Sequence, residues 1–183
     1  MNKRATEFEK WLRLTEQAKS NKAEVIGKGI SKLNIPGETE ADFYKLDTEE
    51  AAKEKIAFYR QQPNWQEVNK AVSNGLFLAV LNHYSEFMKE REFVTKAQAQ
   101  FEKWLRDNDL AKSNKADVIT KGIYKLNIPN ETASKFFALP TSDLIENKIA
   151  FYKQQPQWDE VNKSMSNGLF QAVLNHYLTY KRS

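Results

Sequence analysis

Apolar positions along this chain recur at spacings of three and four, the period of a helix rather than of a strand. Between residues 5 and 16, Phe8, Trp11 and Leu12 share one helical face. Ser20 reads as the N-cap of a second helix. On that helix Val25, Ile26, Ile30 and Leu33 form the apolar stripe, and Asn34-Ile35-Pro36 ends it. Asp47-Thr48-Glu49-Glu50 predicts the start of a third helix, with Asp47 and Glu50 at capping-box spacing. Ile56, Phe58 and Tyr59 supply its apolar side, and Gln61-Gln62-Pro63 breaks it. A short turn over Trp65-Gln66-Glu67-Val68 follows. Ser73 then caps a last helix striped by Leu76, Phe77, Val80, Leu81, Tyr84 and Phe87. No stretch alternates with period two between turn signals, so the chain reads as all-α.

The whole pattern returns at an offset of 93 residues. Phe8-Glu9-Lys10-Trp11-Leu12-Arg13 recurs as Phe101 to Arg106, and Lys55-Ile56-Ala57-Phe58-Tyr59 as Lys148 to Tyr152. Roughly 50 of the 80 pairs from Phe8 to Phe87 are identical. A spacing this long exceeds solenoid periods of about 20 to 50 residues, and each copy is large enough for its own core. The expectation is two tandem homologous domains of four to five helices each, at residues 1–90 and 94–183. Glu86 to Phe93 holds strong helix formers without Gly or Pro. The linker is therefore short and helical: the last helix of the first copy either runs toward Thr95 or continues to about Arg106. Such a tandem is a dimer on one chain, suited to a two-site or pseudo-symmetric partner, and homodimerisation is a further possibility.

Composition narrows the function classes. Of 183 residues, 40% are hydrophobic, 12% aromatic and 28% charged, with no cysteine. This is the range of folded soluble proteins. The lack of cysteine excludes disulfides, thiolate metal sites and a Cys nucleophile, and suits a cytoplasmic setting. No apolar run approaches the roughly 20 residues of a membrane span, and Met1 to Glu7 carries no apolar leader.

Charge is unequal between the halves. Residues 1–92 carry 15 Lys+Arg and 15 Asp+Glu, whereas residues 93–183 carry 13 and 9, which accounts for the whole net charge of +4.

Catalytic signatures are sparse. His83 and His176, the two histidines, occupy equivalent places in Asn-His-Tyr at the edge of the last apolar stripe. A hydrogen-bonded helix-face histidine explains them more simply than acid–base work. The carboxylates Glu38, Glu49, Glu50, Glu67, Glu131 and Glu160 read as caps or solvated groups, without the convergence a divalent metal needs. No zincin motif, phosphate-binding glycine loop or nucleophile elbow is present. The expectation is a non-enzyme with no cofactor, no metal and no small-molecule substrate.

The residues that suggest binding are lysines. Lys19 and Lys22 flank the predicted start of the second helix, where N–H groups favour phosphate, and Lys28 and Lys32 follow at i, i+4 beside the stripe. Lys112, Lys115, Lys121 and Lys125 repeat them, with Tyr124 in place of Ser31. This arrangement grips a DNA backbone rather than reading bases; a solvated lysine face explains the same residues. Trp11, Trp65, Phe43, Phe58, Phe77 and Tyr84 read as core rather than as base-stacking platforms, with Trp65 partly exposed after Gln61-Gln62-Pro63-Asn64.

Each copy joins Phe-x-x-Trp-Leu, the Ser20-Asn21-Lys22-Ala23 helix ending Gly29-Ile30-Ser31-Lys32-Leu33-Asn34, and Asn69-Lys70…Asn74…Ala79-Val80-Leu81-Asn82-His83-Tyr84…Phe87. This resembles the small helical N-terminal domains of HNH nuclease and modification-dependent restriction proteins, and more distantly the SAM-like core-binding domain of tyrosine recombinases. The resemblance implies an all-α DNA-associated module without its catalytic companion. The chain departs from that pattern at Leu78 or Gln171 and at Asn82 or Asn175, where a small polar and a basic residue are usual. Two functions follow as expectations. One is a non-enzymatic DNA-backbone binder. The other is a phage- or plasmid-borne anti-defence protein that inhibits a restriction or CRISPR nuclease by binding it. A surface patch containing Trp65 or Trp158 would favour the protein partner.

Overall fold

The computed structural model describes residues 2–17, 22–112, 115–166 and 168–183. Among these residues it is all-helical, and the chain divides into two compact units, Met1–Glu92 and Phe93–Ser183. The first unit holds α1 (Lys3–Leu14), α2 (Glu24–Leu33), α3 (Glu40–Phe43), α4 (Glu49–Arg60) and α5 (Trp65–Ala71), and it ends in α6 (Leu76–Asp107). The second unit begins within α6 and continues through α7 (Asp117–Leu126), α8 (Ala133–Phe137), α9 (Ser142–Lys153), α10 (Trp158–Ser164) and α11 (Leu169–Arg182). Of the two linker alternatives, the single long helix is observed: α6 has 32 residues, and Thr95 lies in its interior rather than at a cap.

Aromatic packing organises each core. Phe8, Trp11 and Leu12 of α1 are buried, as their spacing predicts. Phe8 meets Tyr84 edge-on at 5.2 Å, and Phe43 lies 4.8 Å from the same ring. In the second unit Phe101, Phe136 and Phe137 surround Tyr177 at 5.1, 5.3 and 5.2 Å. Such pairs add about 0.5–1.5 kcal/mol each beyond area burial. Trp65 is buried (4% exposed), not partly open, because Phe77 receives it at 5.3 Å. Trp158 repeats this against Phe170.

Several helix boundaries differ from the sequence expectation. The Ser20 cap lies outside the described residues. α2 begins later, at Glu24, and its N-cap Ala23 makes no side-chain cap bond. The third expected helix is α4, because a short α3 precedes it, capped by Thr39. The cap of α4 is Thr48, whose hydroxyl accepts the Ala51 N–H at 3.1 Å. Asp47 instead pairs with Arg4 at 3.2 Å. On α4 the buried positions are Ala52, Ile56 and Tyr59, spaced i, i+4, i+7, so Phe58 falls off that face and is 39% exposed. Ser73 does not cap α6 but sits at positive φ in a tight turn. The acceptor there comes from α5: Asn69 Oδ1 takes the Leu78 N–H at 2.9 Å, and Asn162 takes that of Gln171 at 3.0 Å. α2 and α7 both end at an asparagine in the left-handed conformation, Asn34 and Asn127, a residue that tolerates this geometry.

Candidate nucleic-acid interface

The lysine-bearing helices are positioned by their apolar stripes. On α2, Val25, Ile26, Ile30 and Leu33 are buried, and on α7 Val118, Ile119, Ile123 and Leu126 are. Gly29 and Gly122 sit within these stripes because any Cβ there would run into the ring of Phe77 or Phe170. With the apolar side fixed inward, Lys28, Lys32, Lys121 and Lys125 face solvent, as do Lys22, Lys112 and Lys115 around the helix starts. Tyr124 is half-buried. Lys19 lies outside the described residues.

The helix starts do not stand open to an external anion. The Glu9 carboxylate of α1 accepts the Ala23 N–H at 2.7 Å, and Glu102 accepts the Ala116 N–H at 2.5 Å. Each unit thus already supplies the negative group that a helix N-terminus attracts. At these helix starts the lysine side chains alone therefore remain for an external phosphate.

Acids also stand among those lysines. Lys28 pairs with Glu24 at 3.0 Å, and the ammonium holds the Glu24 carboxyl below its ordinary range by hydrogen bond and charge. Lys121 pairs with Asp117 at 2.5 Å. Exposed pairs of this kind contribute little and exchange readily for other partners. Lys125 differs, its ammonium donating to the Ser164 hydroxyl at 3.1 Å. Beside α2 lies a shallow depression lined by Glu24, Gly27, Lys28, Ser31, Lys32 and Glu40.

The other polar constellations are internal ties. Glu38 accepts from Lys55 at 2.8 Å and from the Tyr59 hydroxyl at 2.9 Å. Glu131 does the same with Lys148 and Tyr152 at 2.8 and 3.1 Å. These two carboxylates are neither caps nor solvated groups, as the sequence suggested, but clasps between the loop after α2 or α7 and the helix α4 or α9. Each clasp lysine also lies over an exposed ring, Phe58 at 5.4 Å or Phe151 at 5.2 Å. Burial, then the carboxylate, raises the Tyr59 phenol far above its usual range, so it stays neutral and holds its bond. His83 Nδ1 lies 3.3 Å from Glu86 Oε2 at the edge of the core, and His176 is half-buried. Among the described residues no group of three or more His, Asp or Glu side chains converges as a metal would require.

No protein-family model matches the chain, and neither does any curated protein or solved structure. Among the described residues no helix is long and apolar enough to cross a membrane.

Proposed function

We propose that this chain is a non-enzymatic protein that holds the nucleic-acid backbone through the lysine faces of its repeated helices α2 and α7. The observation that carries the reading is the outward row on α7. Lys121 and Lys125 stand one turn apart on the side opposite Ile119 and Ile123, with Lys112 and Lys115 exposed at the helix start. The unit bearing this row also holds all of the chain's excess positive charge. Ammonium groups of this kind bind phosphate as point charges and carry no base readout. The resemblance to helical domains of restriction proteins is in keeping with it.

The test is fluorescence anisotropy with a labelled random-sequence duplex across a salt series. Engagement of four lysines gives a log–log salt slope of about −3.6, and of eight lysines about −7. Absence of binding at low salt rejects the reading.

A protein partner, such as a nuclease that the chain inhibits, is the second reading. The Trp65 and Trp158 surfaces do not support it, since both rings are buried. What favours it is α9, where Leu144 (45% exposed) and Phe151 (38%) lie seven residues apart on the solvent side. Capture from a host lysate that survives nuclease treatment, and is lost in Leu144→Ser/Phe151→Ser, would select this reading.

A further inference from the structure

Four of the positions at which the lysine faces of α2 and α7 differ lie close together, and one of these differences removes a negative charge. Gly27, Ser31, Glu40 and Ala71 of the first unit correspond to Thr120, Tyr124, Ala133 and Ser164 of the second. In the first unit, the absence of a side chain at Gly27 lets the Glu40 carboxylate from α3 lie directly against α2. There it lines the same depression as Lys28, Lys32 and Glu24. Two ammonium groups thus share one depression with two carboxylates. A phosphate approaching this face meets attraction and repulsion in equal number.

The second unit removes that balance. Ala133 is buried and uncharged where Glu40 stands. Thr120 fills the place of Gly27 and is tied by Gln98 at 2.8 Å. Asp117 with Lys121 is the counterpart of Glu24 with Lys28, but no acid corresponds to Glu40. Lys125 rests on the Ser164 hydroxyl, which orients the ammonium without cancelling its charge; alanine stands there in the first unit. Tyr124 adds a phenol, with a hydroxyl that can donate to a phosphate oxygen.

We propose that the backbone-holding surface belongs to the second unit alone, centred on Lys121 and Lys125, and that Glu40 silences the equivalent face of the first unit. This inference rests on the nucleic-acid reading above, and its partner is the phosphate backbone of a duplex.

The test uses the full chain and the same labelled duplex, with circular dichroism to verify that each variant keeps its helix content. Lys121→Gln/Lys125→Gln is expected to weaken binding about tenfold at low salt and to flatten the salt slope by about 1.8. Lys28→Gln/Lys32→Gln changes affinity by less than about twofold, because the face it alters does not hold the duplex. Glu40→Ala, an exposed position, strengthens binding by about twofold or more and steepens the slope. If the parent chain does not bind at any salt, the nucleic-acid reading itself fails. If the parent binds but the two lysine pairs matter equally, that reading stands and the asymmetry between units is overturned. Unchanged affinity in Glu40→Ala overturns the role given to Glu40.

Discussion

Two glycines on α2 make opposite predictions for the same substitution. At Gly29 the new methyl would meet the edge of the Phe77 ring, which is fully buried and held against Trp65 at 5.3 Å. A ring so confined cannot swing aside, so overpacking costs about 1–3 kcal/mol. Helix propensity returns about 1 kcal/mol for Gly→Ala. A Cβ only 2.2 Å from a Phe77 ring carbon puts the cost in the upper part of that range, about 2–3 kcal/mol, so Gly29→Ala should destabilise by about 1–2 kcal/mol net. At Gly27 the obstacle is only the tip of the exposed Glu40 side chain, which can rotate into solvent. Gly27→Ala should therefore be neutral or stabilising by up to about 1 kcal/mol. Urea unfolding followed by tryptophan fluorescence separates the two. With an m-value of about 2 kcal/mol/M, Gly29→Ala lowers the midpoint by about 0.5–1 M, and Gly27→Ala leaves it equal or higher. Adding Phe77→Leu to Gly29→Ala should cost less than Phe77→Leu alone, because the smaller side chain makes room for the methyl. A Gly29→Ala chain as stable as the parent would falsify the close approach of α2 and α6 on which this account of the lysine face depends.

Two further outcomes follow from the polar groups. Glu9→Ala removes the acceptor of the Ala23 N–H and should cost about 1–2 kcal/mol in the same assay, while Glu9→Gln, which retains an oxygen, should cost less. An equal loss in both would show that the bond is not made. At high pH the buried tyrosines set the limit. Burial pushes the Tyr84 phenol up to about 12, against the pull of the neighbouring Arg4 charge, and raises Tyr44, Tyr59, Tyr152 and Tyr177 as well. Their folded values exceed the unfolded value of about 10. Stability is therefore undiminished below pH ~10 and falls as pH rises from there toward the folded values, by up to about 1.4 kcal/mol per pH unit for each tyrosine. Phenolate absorbance should then appear together with loss of helical circular dichroism; ionisation of these residues near pH 10 in a chain that stays helical would contradict their burial.

What was legible in the sequence was local. The stripes of α1, α2, α5 and α6 could be read because helical period alone sorts Phe8 from Glu9 or Ile30 from Ser31. The breaks at Pro36 and Pro63 act through their own backbone. Thr39 with Asp42 is a local capping signal from which α3 could be found. The caps supplied across helices were not legible. Glu9 reaches Ala23 from 14 residues away, and Asn69 reaches Leu78 from another helix; their partners depend on packing. Trp65 follows turn residues and so reads as partly exposed, but Phe77 buries it. The lysine face shows the same division. The i, i+4 spacing of Lys28 and Lys32 places both on one side of α2, while the acid that opposes them, Glu40, arrives from a separate element.

The carboxylates that close the starts of α2 and α7 bear on the order in which the chain is assembled. Ten-residue helices such as these hardly persist alone in water, and the first amide of each waits for a glutamate on the helix before it. Because Glu9 and Glu102 precede the amides they serve, a chain emerging from the ribosome presents each acceptor before its donor. The earlier helix can therefore act as a template on which the lysine-bearing helix is nucleated, rather than one that has to be found afterwards.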